Sequence, residues 1–118
     1  MKKILVAEDN DSNFVLMSYI LKKYYQFERA KNGQEAVEKA DNGGYDIILM
    51  DIKMPIMDGL EATKAIKEKH PDLPIVALTA NAFDSDRQLA IEAGCDDFLS
   101  KPVSSEACLE TIKRFVGE

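Results

Sequence analysis

The sequence predicts an α/β fold: a doubly wound three-layer sandwich, with a parallel sheet between two layers of helices. Three observations lead there. Short apolar runs rich in β-branched residues alternate five times with segments of helical period. The runs at 45–50 (YDIILM) and 74–79 (PIVALT) are nearly continuous in apolar residues, the pattern of parallel strands covered on both faces. The units follow one another through short loops, with no linker, repeat array or low-complexity tract, so the 118 residues are expected to form one domain, 1–118.

Each element carries its own signal. The first strand is KILVA at 3–7, followed by a helix expected over 12–24 with Val15, Leu16, Ile20 and Leu21 as its apolar face. The second strand, QFERA at 26–30, is the most polar and is placed at a sheet edge. Asn32 and Glu35 form a capping-box pattern ahead of Val37 and Ala40, and Asp58 with Glu61 repeats it ahead of Leu60, Thr63 and Ile66. After the fourth strand a helix is expected over 84–93, ending at Gly94, which suits a left-handed C′ position. The fifth strand is DFLS at 97–100. The last helix starts near Ser104, with Val103 placed to staple Cys108, and shows Leu109, Ile112 and Val116 at helical spacing.

Right-handed crossovers bring the carboxyl ends of all five strands to one edge, where open α/β sheets bind ligands. The residues that arrive there are polar. Glu8 and Asp9 follow the first strand, Asp51 follows the third, Thr79 with Ala80 and Asn81 closes the fourth, and Lys101 with Pro102 comes just after the fifth. The stretch ILVAEDND thus ends a hydrophobic run in a knot of carboxylates, which is unfavourable without a neutralising cation. All-oxygen ligands select a hard cation such as Mg²⁺, which keeps waters and leaves room for phosphate oxygens. Lys101 adds a positive charge and Thr79 a hydroxyl. An aspartate in that setting is a candidate nucleophile for phosphoryl transfer.

Taken singly, each residue has an ordinary structural role. Asp9 to Asp11 suit a helix N-terminus, Asp51 a turn, Thr79 a local hydrogen bond and Lys101 a surface charge. Their coincidence on one sheet edge defines a candidate acidic metal site. The remainder of the composition mainly excludes. The chain is 46% hydrophobic and 31% charged, a globular profile, and its net charge of −6 with no basic tract argues against a nucleic-acid surface. No apolar run approaches the roughly 20 residues of a membrane span and no signal peptide opens the chain, so a cytoplasmic location is expected. Cys95 and Cys108 lack metal or redox spacing and are read as reduced thiols, and His70 as part of a solvated helix end.

Four runs in order, EDN at 8–10, DIKMPIMDG at 51–59, LTANA at 78–82 and AGCDDFLSKP at 93–102, resemble the receiver domain of two-component response regulators. The resemblance extends from Lys3 to about Phe115. The last two runs are most similar to receivers of hybrid sensor kinases and phosphorelays. It implies a flavodoxin-like (βα)5 fold with strand order 2-1-3-4-5 and phosphorylation of Asp51 by a phosphohistidine on a histidine kinase or phosphotransfer domain. By the same resemblance Asp9 and Asp51 ligate Mg²⁺, or Mn²⁺ as a substitute, with the Lys53 carbonyl, and Glu8 acts through metal-bound water. Thr79, Lys101 and the backbone N–H groups of Lys53 and Ala80 would contact the phosphoryl group. Phe98 matches the aromatic that moves with Thr79, and Lys101–Pro102 a peptide bond that is usually cis.

Further expectations follow from the resemblance. The face of the fourth helix, fifth strand and fifth helix changes on phosphorylation and serves homodimerisation or target binding, while the donor docks near Asn13, Phe14 and Met17. Phe14 fits equally well as a core residue. Glu8 stands where many relatives have aspartate. The side chains of Lys53 and Asn81 border the path of hydrolytic water and are expected to set the lifetime of the phosphoryl group. The MKKILVAEDN start favours a stand-alone regulator over a piece of a hybrid kinase. Neither input signal nor downstream target is named by the residues. Competing classes fit less well. A flavodoxin-like cofactor module wants a Ser/Thr/Gly phosphate loop where EDNDSN stands, an aspartate-dependent phosphohydrolase wants a second aspartate where Lys53 stands, and no P-loop is present.

Overall fold

The strand order is β2-β1-β3-β4-β5 and every pairing is parallel, in the computed structural model, which describes residues 1–80 and 84–117. The elements alternate strictly: β1 (Lys3–Ala7), α1 (Asp11–Leu21), β2 (Gln26–Ala30), α2 (Gly33–Asn42), β3 (Ile47–Asp51), α3 (Gly59–Lys69), β4 (Ile75–Thr79), α4 (Asp84–Ala93), β5 (Asp97–Ser100) and α5 (Ser105–Val116). The polar second strand does lie at an edge, as its composition predicts.

Because side chains alternate along a strand, the sheet feeds two cores. Leu5, Ala7, Ile48 and Met50 pack with Ala36, Ile66 and Ala90 on the α2–α3–α4 face. Ile4, Val6, Ile47 and Leu49 pack with Met17, Leu21, Cys108 and Ile112 on the α1–α5 face. Each such fully buried Ile or Leu contributes about 1.5–3 kcal/mol relative to exposure, so the central strands anchor everything attached to their ends. Cys95 and Cys108 are free, buried and on opposite faces, and burial pushes the Cys108 thiol up to about 11.

The helix boundaries follow from local chemistry. Asn10, Asn32, Asp58 and Ser104 are N-caps whose side chains accept from the N–H three residues on. Glu35 reaches back to the Lys31 N–H at 3.1 Å, one residue before the cap. Val103 joins Cys108 in the α1–α5 core, as a staple requires. Gly94, at φ 109, ends α4, its N–H bonding the Ile91 carbonyl while the Cys95 N–H bonds that of Ala90, a Schellman arrangement.

The expectation for α1 needs correcting. It begins at Asp11, ends at Leu21 and buries Met17 and Leu21, with Phe14 and Ile20 partly buried, whereas Val15 and Leu16 stay 49% and 47% exposed. Six of its eleven residues are Phe, Val, Leu, Met or Ile, so periodicity alone does not choose a face; the crossing over the sheet does.

Candidate functional site

Three buried strands end side by side. Glu8 follows β1, its N–H held by the Ala30 carbonyl at 2.9 Å, and Asp51 closes β3 in register with Leu78. Thr79 closes β4, and its carbonyl takes the Lys101 N–H at 2.7 Å just beyond β5. The Lys101–Pro102 bond is cis. These backbone restraints bring four polar side chains together from four parts of the chain.

Lys101 Nζ lies 3.0 Å from Glu8 Oε1 and 3.0 Å from Asp51 Oδ2. Asp51 Oδ1 accepts the Lys53 N–H at 3.2 Å, and Glu8 Oε2 accepts the Asn10 N–H at 3.3 Å. Glu8, Asp9 and Asp51 each place a carboxylate oxygen within 4.8 Å of the others. Glu8 is 1% exposed, Asp51 is buried, and Asp9 faces solvent. A cleft of about 360 Å³, lined in part by Asp9, Asp51, Lys53, Ala80 and Lys101, opens above them.

The electrostatics match this crowding. Burial first, and then the hydrogen bond shared with Asp51, push Glu8 up to about 7, against the opposing pull of Lys101. Burial works against the Lys101 ammonium, but its contacts with Asp51 and Glu8 outweigh this and raise its pKa, so it remains charged. One lysine therefore faces three acids, and the site retains an excess of negative charge. Thr79 Oγ1 is fully buried and has no hydrogen-bond partner among the described residues. An unpaired hydroxyl of this kind is costly unless a ligand completes it. The all-oxygen donor set, the residual negative charge and the open cleft fit a hard divalent cation.

Phe98 sits half-buried on β5 against the α2–α3–α4 core, with the Arg87 guanidinium 5.1 Å from its ring centre. Lys53 and Ala80 lie at the cleft with exposed side chains. Asn81 falls outside the described residues. Asp11 belongs to the first turn of α1 and pairs with Arg29 at 2.9 Å. Phe14 stacks edge-on against Phe27 and packs beside the α1–α5 core.

Sequence reasoning missed two supports of the site. One is Arg29, whose Nε–H donates to the Glu8 carbonyl at 3.0 Å; a lone arginine in a polar edge strand carries no local signal of this. The other is the loop 52–58. The Met57 N–H bonds the Pro55 carbonyl at 2.8 Å about Ile56 at φ 70, the rarer and strained form of γ-turn. The Met57 carbonyl then takes the Gly33 N–H at 2.8 Å, and the Ile52 carbonyl takes the Gly59 N–H at 3.0 Å. Gly59 at the loop's end was the available sign, whereas Gly33 meets the loop only through the fold.

A parallel sheet with an acidic, cation-ready cluster at the point where its strand order reverses, faced by a lysine and an unpaired threonine hydroxyl, defines a phosphoryl-accepting signalling domain. Residues 4–113 match the response regulator receiver domain, and the chain belongs to that family. It is 44% identical over 132 residues to hybrid signal transduction histidine kinase B of Dictyostelium discoideum, with 99% of this chain covered but only 7% of the kinase. It is 36% identical over 120 residues to the polar-differentiation response regulator DivK of Brucella anthropi, with 99% of this chain and 98% of that protein covered. Among solved structures, the receiver domain of a Pseudomonas aeruginosa sensor histidine kinase, with a magnesium ion coordinated in its active site cleft, superposes with a TM-score of 0.93 at 35% identity, covering 99% of this chain and 98% of that one. A co-crystal structure of a Saccharomyces cerevisiae histidine phosphotransfer protein with the receiver domain of its downstream response regulator matches with a TM-score of 0.93 at 33% identity, covering 98% of this chain and 89% of that one. No helix among the described residues is long and apolar enough to cross a membrane.

Proposed function

We propose that Asp51 is the phosphoacceptor of this receiver and that its donor is a phosphohistidine on a histidine kinase or a histidine phosphotransfer domain. The observation that carries the assignment is the Asp51 carboxylate at the end of β3, gripped by Lys101 at 3.0 Å and grouped with Glu8 and Asp9 below an open cleft. In the transfer an Asp51 oxygen forms a bond to phosphorus as the phosphorus–nitrogen bond breaks, and the imidazole leaves with the bond's electron pair. Asp9, Asp51 and the Lys53 carbonyl would hold Mg²⁺, or Mn²⁺ in its place, and Glu8 would support it from a second layer. When bound, the cation neutralises charge on the phosphoryl oxygens.

The protein's own donors complete the group. Lys101 supplies an ammonium, Thr79 the hydroxyl that is otherwise unpaired, and Lys53 and Ala80 their backbone N–H groups. Drawing Thr79 toward the phosphoryl group, with Phe98 as the aromatic that moves with it, biases the packing of α4, β5 and α5 and changes the surface presented to a target or to a second copy. The relatives support a two-component or phosphorelay role and the yeast complex supports a histidine phosphotransfer protein as partner; docking near Asn13, Phe14 and Met17 and a cytoplasmic location belong to the same proposal.

Intact mass after incubation with acetyl phosphate and Mg²⁺ tests the assignment. The parent is expected to gain one group of about 80 Da, and Asp51→Asn, or the parent without Mg²⁺, none. Single-site labelling of Asp51→Asn at the parental rate would contradict it. The same labelled protein reports lifetime. Lys53→Ala and Asn81→Ala are expected to change the rate at which the group is lost, and decay equal to the parent in both would remove the lifetime role of these side chains.

A further inference from the structure

The turn carrying Glu8 and Asp9 is held from outside by one residue that plays no direct part in the chemistry. β2 ends at Ala30, whose carbonyl takes the Glu8 N–H at 2.9 Å, so no strand neighbour remains for the Glu8 carbonyl on that side. Arg29 fills the gap, its Nε–H donating to that carbonyl at 3.0 Å. The same guanidinium lies 4.7 Å from the centre of the Phe14 ring and reaches Asp11 at 2.9 Å through Nη1. Its side chain is only 17% exposed, whereas that of Asp11 is 87% exposed. The Asp11 pair is therefore weak in water, and the half-buried bond to Glu8 with the stack on Phe14 dominates.

The carbonyl held by Arg29 belongs to the peptide unit that joins Glu8 to Asp9. With the Glu8 N–H also fixed, both planes flanking Glu8 are set by β2, and the direction in which the chain enters Asp9 is set with them. We propose that Arg29 is a positioning residue for the metal cradle: by clamping the Glu8–Asp9 peptide it aims both carboxylates at the cation shared with Asp51. Removing groups that orient metal ligands in this way typically costs about 10–100-fold in metal affinity or activity. The inference rests on the receiver reading of the site.

Calorimetric titration of Mg²⁺ into the unphosphorylated chain tests it, with Arg29→Met, Arg29→Lys and, as a remote control, Lys67→Met. Lys67 ties the Leu73 carbonyl to Asp96, far from the acids, so its loss weakens the fold without touching the cradle. Arg29→Met is expected to bind Mg²⁺ about tenfold more weakly, and Arg29→Lys, which keeps the charge but not the planar fork, to recover only part of this. In phosphoryl uptake from acetyl phosphate, the Mg²⁺ concentration for half-maximal rate should rise by about the same factor, with the rate at saturating Mg²⁺ within about twofold of the parent. Affinity within about twofold of the parent in Arg29→Met, or an equal loss in Lys67→Met, overturns the proposal and leaves Arg29 a strut between β2 and α1. If Arg29→Met does not fold, Arg29→Lys carries the same comparison. A parent that binds Mg²⁺ but takes up no phosphoryl group refutes the receiver reading instead, and a parent that does not bind Mg²⁺ refutes both.

Discussion

Replacing Lys101 by alanine is expected to slow phosphoryl uptake about a hundredfold or more while leaving Mg²⁺ binding at least as tight as in the parent. The two effects separate because the ammonium stands in different relations to the two ligands. Toward the phosphoryl group it is a countercharge, 3.0 Å from an oxygen of the proposed acceptor Asp51, and 24% exposed so that water screens it only in part. Losing a preorganised donor of this kind from a charged transition state typically costs about 3 kcal/mol, or two powers of ten in rate. Toward Mg²⁺ it is a like charge that already engages Glu8 and Asp51, so the cation must compete with it. Single-turnover labelling and Mg²⁺ titration of Lys101→Ala, both at pH 8, measure the two quantities on one sample. A parallel loss of metal binding would mean that Lys101 holds the acids in place rather than acting on the phosphoryl group.

How far the sequence disclosed this site depended on the range of each interaction. Strand ends were legible because a buried apolar run that stops at a polar residue marks its own carboxyl end, and the fold's handedness gathers those ends. Glu8, Asp51 and Thr79 were found in this way, and the structure buries all three. Helix caps were legible for the same local reason, since Asn32, Asp58 and Ser104 each act within three residues. The face of α1 was not, because Val15 and Leu16 differ from Met17 and Leu21 only in which way the sheet lies. The Arg29 bond to Glu8 spans 21 positions in the chain, and no pattern along QFERA announces it. Lys101 and Asp51 lie 50 positions apart and were joined only through the inferred topology.

The loop behind Asp51 yields the second large effect: Gly59→Ala is expected to lower stability by about 2–4 kcal/mol and to impair phosphoryl uptake even where the variant stays folded. A Cβ on residue 59 would lie 2.2 Å from the Asp51 carbonyl oxygen and 2.7 Å from the Ile52 Cα, both backbone atoms of the strand end that presents Asp51. Helix propensity favours alanine over glycine by about 1 kcal/mol, but a clash with backbone cannot be relieved by a rotamer and must move α3 or β3. Either movement breaks the 3.0 Å bond from the Gly59 N–H to the Ile52 carbonyl and shifts Asp51 away from Lys101. Gly43→Ala supplies the contrast. At φ 79 and ψ −177, an extended positive-φ conformation that glycine alone adopts readily, and with no atom within 4 Å of an added Cβ, it should cost only backbone strain of about 1–3 kcal/mol and leave uptake unchanged. Thermal unfolding should therefore rank parent, Gly43→Ala and Gly59→Ala in descending order, with Gly59→Ala about 10 °C or more below the parent. A Gly59→Ala variant melting with the parent would show that α3 is free to move off β3, and the position of Asp51 would then have to be set by the sheet alone.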